Sequence, residues 1–370
     1  MDRRTVGVEE ELLLIDPESR LPAPRAEQVL KYAREHGSGA SDALDHELFR
    51  HQLETRTPPV TSLDDLRRHL VGARHDATEA AAAVGLAVAA SGAVPLGGGD
   101  PRTSPDDRYR AMVETYGEVA RPGGTCGLHV HVAIDSDDDG VRAIDTITPW
   151  LPVLLAISAN SPFHHGRDTR YASWRSQVWT QWPSAGPTAP FGSAAGYREA
   201  SRQLIASGAA LDPGMLYYDA RLSESYPTVE VRITDVCTDP DEAVLIAALV
   251  RGLVDHALAT TSEPAPWRAE LLRAARWRAA RYGLTDRLLD PRTGRLAPAR
   301  AVAESLVHRV RDQLEAHGDT ALVDAVLPQV LAEGGATRQR AAYERGGGNV
   351  ADVVDDLVAR TGAAWRQVSG

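Results

Sequence analysis

Three stretches of the chain place pairs of ionisable side chains on one face of a predicted β-strand. In each stretch, apolar residues alternate with polar ones, so that residues two positions apart share a face. The pairs are Glu230 with Arg232 in PTVEVRITD (227–235), Glu9 with Glu11 in VGVEEELLLI (6–15), and His129 with His131 in TCGLHVHVAI (125–134). Three such strands predict a sheet with one chemically active side.

The paired carboxylates of Glu9 and Glu11 can be explained in two ways. They could lie on a solvated strand face, but four apolar residues follow at once (12–15), which favours a central strand. Like charges on a central strand repel each other unless a cation or an arginine lies between them. A divalent metal ion is the simplest such cation.

The two imidazoles of His129 and His131 leave the metal open. They could be ordinary polar residues of a sheet face, and their spacing is also used for zinc, copper or iron in hydrolases and oxygenases. The other residues in matching positions are glutamates, and a carboxylate-rich set favours a hard ion such as Mg²⁺ or Mn²⁺.

Further acidic residues could complete the site. Glu230 could be a metal ligand, while Arg232 offers a planar fork to a substrate carboxylate or a phosphate. Glu54 is either another ligand or an edge-strand charge near a turn. Glu47, seven residues earlier, would face the opposite way in a regular strand, so a bulge or turn must intervene if both serve one site.

Composition narrows the class of protein. Among 370 residues, 43% are hydrophobic and 25% charged, and the net charge of −11 is spread without long runs of one sign, which disfavours nucleic-acid binding. Cys126 and Cys237 are expected to be buried thiols in a reducing cytoplasm. The sequence lacks an apolar run of about 18 residues, and MDRRT at its start leads directly into a strand, so neither a membrane span nor a signal peptide is expected.

The three key strands each have one apolar and one ionisable face, which predicts an α+β fold with helices on the apolar side of an antiparallel or mixed sheet. Strands alternate with helices up to about residue 236, and helices follow to residue 370, within a single catalytic domain (1–370). The predicted strands include one extended stretch (44–57) and a strand at 215–220 paired with 228–235. One predicted helix is capped by Ser62 and Asp65, and another (138–158) is broken by Pro149 and Pro152. The later predicted helices are 242–261, 267–282, 299–317, 320–332 and 350–361.

Two other motifs have ordinary structural explanations. The glycine-rich segment 97–102 could cradle a phosphate, but such turns are common between a strand and a helix. Arg338 and Arg340, ahead of three glycines (346–348), are typical of a solvated basic turn. The tryptophans of the segment 160–190 are expected to pack in the interior, while the length of this segment is typical of a functional loop.

With these residues in hand, the chain resembles the type 2 glutamate–cysteine ligase family of carboxylate–amine ligases along nearly its whole length. The matching motifs are GVEEEL (7–12), TCGLHVH (125–131), NSPF (160–163), WTQWPSAGP (179–187), PTVEVR (227–232) with DVC (235–237), and ATRQR (336–340).

The resemblance implies a glutamine-synthetase-like fold, a curved and mainly antiparallel sheet whose concave face holds the site. It implies an ATP- and Mg²⁺-dependent ligase (with Mn²⁺ as an alternative ion) that joins the γ-carboxylate of glutamate to an amine, such as that of cysteine, through an acyl phosphate. The implied metal ligands are Glu9, Glu11, Glu47, Glu54, His129 and Glu230. His131 is open between a ligand and a residue that orients its neighbour.

The resemblance also assigns roles to four arginines. Arg232 would face the transferring phosphoryl group or the substrate carboxylate, and Arg175, in the motif DTRYASWR (168–175), would contact an anion. Arg338 and Arg340 are expected to bind the nucleotide. The implied partners are small amino-acid substrates and, by default, a second copy of the chain in a homodimer.

The sequence leaves two other functions open. The protein could be a transition-metal-dependent hydrolase that uses the His-x-His strand, or a non-catalytic relative that binds nucleotide. Glu230→Gln is expected to abolish metal-dependent turnover. It is expected to cost little stability, because it removes one charge from a cluster of carboxylates that repel one another.

Overall fold

The computed structural model describes residues 3–36, 44–97, 102–120, 124–260 and 267–363. Most of the glycine-rich segment considered as a phosphate cradle, residues 98–101, lies outside the described residues.

The fold is built on one open sheet of seven strands. The strands of the chain are β1 Val6–Ile15, β2 Leu44–His46, β3 Gln52–Arg56, β4 Ala87–Ala89, β5 Gly127–Ala133, β6 Phe163–His164, β7 Arg167–Asp168, β8 Ala220–Leu222, β9 Thr228–Asp235, β10 Arg287–Asp290 and β11 Arg295–Pro298. The main sheet has the order β2-β3-β1-β5-β9-β8, with β4 also paired to β1. Each of its pairings in the described residues is antiparallel. The predicted α+β class is therefore confirmed.

Helices surround this sheet. They are α1 Ala26–His36, α2 Leu63–Ala83, α3 Asp107–Tyr116, α4 Asp137–Ile147, α5 Leu151–Ser158, α6 Arg175–Trp179, α7 Ala194–Ala206, α8 Pro240–Ala259, α9 Ala269–Tyr282, α10 Ala299–Arg309, α11 Arg311–His317, α12 Thr320–Ala332, α13 Gly335–Arg345 and α14 Val350–Ala363. The Ser62 hydroxyl accepts a hydrogen bond from the Asp65 amide at the start of α2, as the capping box predicts.

The apolar side of the sheet is covered by helices. Helix α8 contacts β1 and β5, α5 contacts β9, and α2 and α4 pack on α8. On this side Glu10, which lies between the two paired glutamates, forms a fully buried ion pair with Arg74 of α2 (Nη2–Oε1 2.6 Å). Glu10 therefore points away from the opposite side, where Glu9 and Glu11 lie.

Two predicted strands differ from the structure. The stretch 44–57 is not one strand but two, β2 and β3, which pair with each other in an antiparallel hairpin. Of the predicted strand 215–220, Met215 ends a 3₁₀ turn (Pro213–Met215) and only Ala220 belongs to a strand, the short β8, which pairs with β9 as predicted. In the first stretch, residues 46–52 contain no glycine or proline that would mark the turn.

The region after residue 236 is mainly helical, as predicted, with additions. The hairpin of β10 and β11 interrupts it, and the predicted helix 299–317 is two helices, α10 and α11. The segment around Arg338 and Arg340 is the helix α13, not a turn. Its alanine, arginine, glutamine and glutamate residues favour a helix, and the glycines at 346–348 follow its end.

The stretch Asp137–Ser158 is long and apolar enough to span a membrane by length and composition, but 78% of its apolar window is buried within the fold. It comprises α4, a 3₁₀ turn at Thr148–Trp150 and α5, so the chain breaks at the prolines as predicted. Both cysteines are free and buried, also as predicted.

Candidate active site

A polar cleft with a volume of about 520 Å³ lies on the side of the sheet away from α8. Strands β1, β3, β5 and β9 form its floor, and residues of α3 and α6 line its wall. The ionisable residues that line it are Glu9, Glu11, Glu47, Glu54, Arg56, Arg108, Tyr109, His129, Asp212, Tyr217, Arg221 and Arg232.

Strand register brings the predicted ligands together. Glu11 lies directly opposite Glu54 on β3, Glu9 lies opposite His129 on β5, and His131 lies opposite Glu230 on β9. Directly opposed residues of an antiparallel pair have side chains on the same face. Residues far apart in the chain thus meet on one side of the sheet, as the alternation predicts.

One group of candidate metal ligands consists of Glu11, Glu47 and Glu54, whose carboxylate oxygens lie within 4.8 Å of one another. The turn between β2 and β3 places Glu47 beside Glu54, which supplies the chain reversal that their spacing requires. Burial and the charges of neighbouring carboxylates raise the pKa of Glu54 well above its ordinary value and also raise that of Glu47. Arg56 offsets part of this repulsion by donating to Glu54 (Nε–Oε1 2.6 Å).

A second group consists of Glu9, His131 and Glu230, also with ligand atoms within 4.8 Å of one another. His129 lies between the two groups: its Nδ1 is 3.4 Å from Glu9 Oε2 and 3.9 Å from Glu230 Oε1, and its Nε2 is 3.7 Å from Glu11 Oε1. The sequence left open whether His131 is a metal ligand or orients its neighbour. Its position makes it a candidate ligand alongside His129.

The imidazoles are suited to metal binding. The Nε2 atoms of His129 and His131 are buried and make no hydrogen bond within the described residues. Burial, together with the nearby positive charge of Arg232, lowers the pKa of His129, so that its ring is neutral near pH 7. Burial alone would raise the pKa of Glu9, but the neighbouring imidazoles of His129 (Nδ1–Oε2 3.4 Å) and His131 (Nε2–Oε1 3.6 Å) hold it well below its ordinary value.

Glu230 differs from the other carboxylates because two arginines neutralise it. Arg221 on β8 donates to it (Nε–Oε2 2.7 Å), and Arg232 donates through Nη1. Burial would raise the pKa of Glu230, but the charges of Arg232 and Arg221 outweigh it and hold the pKa well below the usual range. The expectation that Glu230→Gln costs little stability therefore changes, because Glu230 is an ion-pair partner and not simply one more repelling charge.

These residues fit a divalent cation. Carboxylates of like charge lie close together in buried or half-buried positions, two imidazole nitrogens have no hydrogen-bond partner, and oxygen donors predominate in both groups. Hard ions such as Mg²⁺ and Mn²⁺ prefer oxygen donors, whereas imidazole also suits zinc, copper, iron and nickel.

Four predicted site residues do not line the cleft: Glu230, which is 2% exposed, and three arginines. Arg175 is buried beside the cleft, with its guanidinium on the sheet face that carries His129 and 1% of its surface exposed. Arg338 pairs with Glu242 (Nη1–Oε1 2.6 Å) beside a separate cavity of about 370 Å³, and Arg340 pairs with Asp168 (Nη2–Oδ1 2.9 Å). Their contacts with an anion or a nucleotide stay predictions.

Sequence reasoning missed Arg56 and Arg221. Arg56 follows Glu54 by two residues, which repeats the Glu-x-Arg pattern of Glu230 and Arg232 on a second strand, so the signal was present in the sequence. Arg221 faces Glu230 only through the pairing of β8 with β9. No pattern within β8 itself indicates this contact.

A second cavity, of about 490 Å³ and mainly apolar, adjoins the group of Glu9, His131 and Glu230. It shares Glu9 and Arg56 with the polar cleft, so the two spaces meet at the carboxylates. Its other walls come from the Thr57–Pro59 turn, the ends of β1 and β5, and Tyr226, whose ring makes an edge-to-face contact with His131 (centroids 6.2 Å apart).

Comparison with solved structures places the fold among known ligases. A bifunctional glutathione synthetase from Pasteurella multocida superposes with a TM-score of 0.70 at 16% identity, over 98% of this chain and 52% of that protein, so the chain spans about half of its length. A glutamate–cysteine ligase from Francisella tularensis, solved in complex with AMP, superposes with a TM-score of 0.63 at 14% identity, over 99% of this chain and 94% of that protein. At these identities the likeness shows the fold alone, and it confirms the glutamine-synthetase-like architecture.

Sequence comparison gives closer relatives. A protein of Nocardioides sp. (strain JS614) with the provisional name glutamate–cysteine ligase 2-1 is 58% identical over 98% of this chain and 97% of its own length. A similarly named protein of Frankia alni is 46% identical, over 97% of each chain. The family model for glutamate–cysteine ligase family 2 matches residues 5–358. The chain belongs to glutamate–cysteine ligase family 2.

Proposed function

We propose that the protein is an ATP- and Mg²⁺-dependent carboxylate–amine ligase of the cytoplasm. It would join the γ-carboxylate of glutamate, or of a similar acid, to the amine of a second amino acid such as cysteine. The observation that carries this proposal is the close approach of two groups of candidate ligands, Glu11–Glu47–Glu54 and Glu9–His131–Glu230, on one side of the sheet. Family membership, which implies amide-bond formation, supports it.

The two cavities suggest which substrate binds in which space. The apolar cavity beside Tyr226 suits the flat base of a nucleotide, since aromatic and apolar surfaces bind such rings. A nucleotide seated there would extend its phosphates towards Glu9 and Glu230. The polar cleft beyond, with Arg232 and Arg108 in its lining, suits the charged amino-acid substrates. The AMP bound to the Francisella relative agrees with nucleotide use in this fold.

The proposed reaction has two steps. An oxygen of the substrate carboxylate attacks the γ-phosphorus of ATP, ADP leaves, and an acyl phosphate forms. The amine nitrogen then attacks the acyl carbon, phosphate leaves, and the nitrogen loses a proton to give the amide. Divalent ions held by the two carboxylate groups would offset charge on the phosphates.

The residues of the chain position these groups. Arg232, held by Glu230 at the floor of the cleft, presents its remaining donors to the phosphoryl group or to the substrate carboxylate. No protein nucleophile is needed. Burial raises the pKa of Cys126 and of Cys237 well above the ordinary value, so neither thiol is ionised near pH 7, in agreement with a structural role.

Phosphate release tests the proposal. The purified protein is incubated with ATP, Mg²⁺, glutamate and a panel of amines, and the expected result is release that depends on the amine and is lost in Glu54→Gln. Absence of amine-dependent release with every acid and amine tried would refute the ligase. ATP binding without isotope exchange into glutamate would support the non-catalytic relative, and tightly bound zinc or iron would support the hydrolase.

A further inference from the structure

Strand β9 is irregular beside Arg232, at the floor of the cleft. Two residue steps along β5, from Leu128 to Val130, are matched by three steps along β9, from Thr234 to Val231. An extra residue on one strand of an antiparallel pair is a β-bulge, a feature that redirects side chains and is frequent next to active sites. The orientation of Arg232 therefore depends on how this bulge is held.

The guanidinium of Arg175 binds the bulge directly. Its Nη2 donates to the carbonyl of Arg232 (3.1 Å) and its Nη1 to the carbonyl of Ile233 (3.2 Å). Successive carbonyls of a regular strand point to opposite neighbours, so a single guanidinium could not reach both. Arg175 thus recognises the irregular backbone, and it does so in the interior, where it is fully buried.

A buried network fixes Arg175 in this position. Its backbone N–H donates to the Ser161 hydroxyl (3.1 Å), which donates in turn to Asp235 Oδ2 (2.7 Å). The Ser173 hydroxyl donates to the other oxygen of Asp235 (2.8 Å), which lies 3.9 Å from Nη1 of Arg175. The loop before α6 is therefore tied to the end of β9, the strand that bears Arg232.

Gly127 on β5 leaves the space that the guanidinium occupies. A Cβ atom at this position would lie 2.4 Å from Nη2 of Arg175 and 3.1 Å from Nε2 of His129, so any side chain would displace the guanidinium and press on the imidazole. The Gly127 N–H also donates to Glu11 Oε2 (2.7 Å), so the same narrow region borders a candidate metal ligand.

We propose that Arg175 is a positioning residue that holds the bulge of β9 and so aims Arg232 into the cleft, without touching the substrate. The inference rests on the proposed function in one respect, that Arg232 acts in the ligase reaction. It is an alternative to the direct anion contact that the family resemblance implies for Arg175.

Kinetics of Arg175→Met, Arg175→Lys and Gly127→Ala test this role. Misplacing a catalytic group by about 1 Å can cost about 100-fold in rate, so we expect kcat of Arg175→Met to fall by about 10- to 100-fold while KM for ATP changes by less than about threefold. Gly127→Ala should also lower kcat although it keeps Arg175, but its methyl group approaches His129 Nε2 (3.1 Å), so hydrogen–deuterium exchange of β9 is the measurement for this variant. Arg175→Lys should lie between, because an ammonium group cannot make the same planar pair of contacts.

Arg251 provides a matched control. It is also fully buried and donates to Asp319 and to the Thr61 carbonyl, away from the cleft. Arg251→Met should lower thermal stability but leave kcat per folded molecule unchanged. Tens of millimolar guanidinium should restore part of the activity of Arg175→Ala and none of any loss in Arg251→Met.

Hydrogen–deuterium exchange supplies a measurement that does not need activity. In Arg175→Met and Gly127→Ala, exchange should increase in peptides that cover β9 and remain unchanged in β3; in Arg251→Met, β9 should be unaffected. Wild-type kcat in Arg175→Met, unchanged exchange of β9, or an equal loss of kcat in Arg251→Met would overturn the positioning role. If the wild-type protein has no ligase activity, the proposed function fails, and exchange alone decides whether Arg175 holds the bulge.

Discussion

Glu230 and Glu54 lie on the same side of the sheet, but replacing each with glutamine should change stability in opposite directions. Glu230 is 2% exposed and neutralised by two arginines. Glu54 has several carboxylates nearby and a single arginine, Arg56, whose half-exposed side chain water can solvate when the ion pair is lost. Glu230→Gln leaves Arg221 and Arg232 without their shared partner. Removing one member of a buried ion pair costs about 3–5 kcal/mol. Glu54→Gln removes a repelling charge and should gain up to about 1 kcal/mol, the scale of a charge pair on a sheet face.

Thermal unfolding in EDTA measures both effects. The unfolding entropy is about 0.8 kcal/mol/K for a chain of 370 residues, from about 2.1 cal/mol/K per residue. Glu230→Gln should therefore lower Tm by about 4–6 °C, while Glu54→Gln should leave Tm unchanged or raise it slightly. Both variants should lack ligase activity. If Glu230→Gln unfolds at the wild-type temperature, or if Glu54→Gln loses as much stability, the assignment of charge balance to these two carboxylates is wrong.

Three further outcomes follow from the same structure. Burial lowers the pKa of His51 to about 4, so the unfolded chain binds more protons than the folded chain between pH 6.5 and 4. The free energy of unfolding should therefore fall by about 3 kcal/mol as the pH drops through this range. In urea titrations, His51→Leu should reduce this loss of stability in acid. Mg²⁺ at about 100 times its Kd should raise the free energy of unfolding by about 2.7 kcal/mol, and a gain of equal size in Glu54→Gln would rule out binding at that carboxylate. Tyr226→Ala should raise KM for ATP about tenfold through lost stacking with little change in KM for the amine, and equal changes in both would move the nucleotide out of the apolar cavity.

The sequence predicted those parts of the site that depend on local alternation. The predicted bounds of β9 agree with the structure, because apolar and polar residues alternate along it without a break. The same two-residue period predicts which side chains of β1 and β5 share a face. The reversal between β2 and β3 was not found, because residues 46–52 contain no glycine, proline or asparagine to mark a turn. Only the tertiary pairing of the two strands places Glu47 beside Glu54.

Charge balance depends on contacts that no local pattern contains. Glu9, Glu11 and Glu230 look equivalent in sequence, each a glutamate on a strand face, yet their neighbours come from different strands. Glu230 meets Arg221 because β8 pairs with β9, while Glu11 meets Glu47 and Glu54 because β3 pairs with β1. The strand order therefore decides which carboxylates are already neutralised by arginine and which remain to be neutralised by a cation. Arg175 extends the same reasoning, because the family resemblance implies an anion contact while its guanidinium is buried and bound to the backbone of the strand that carries Arg232.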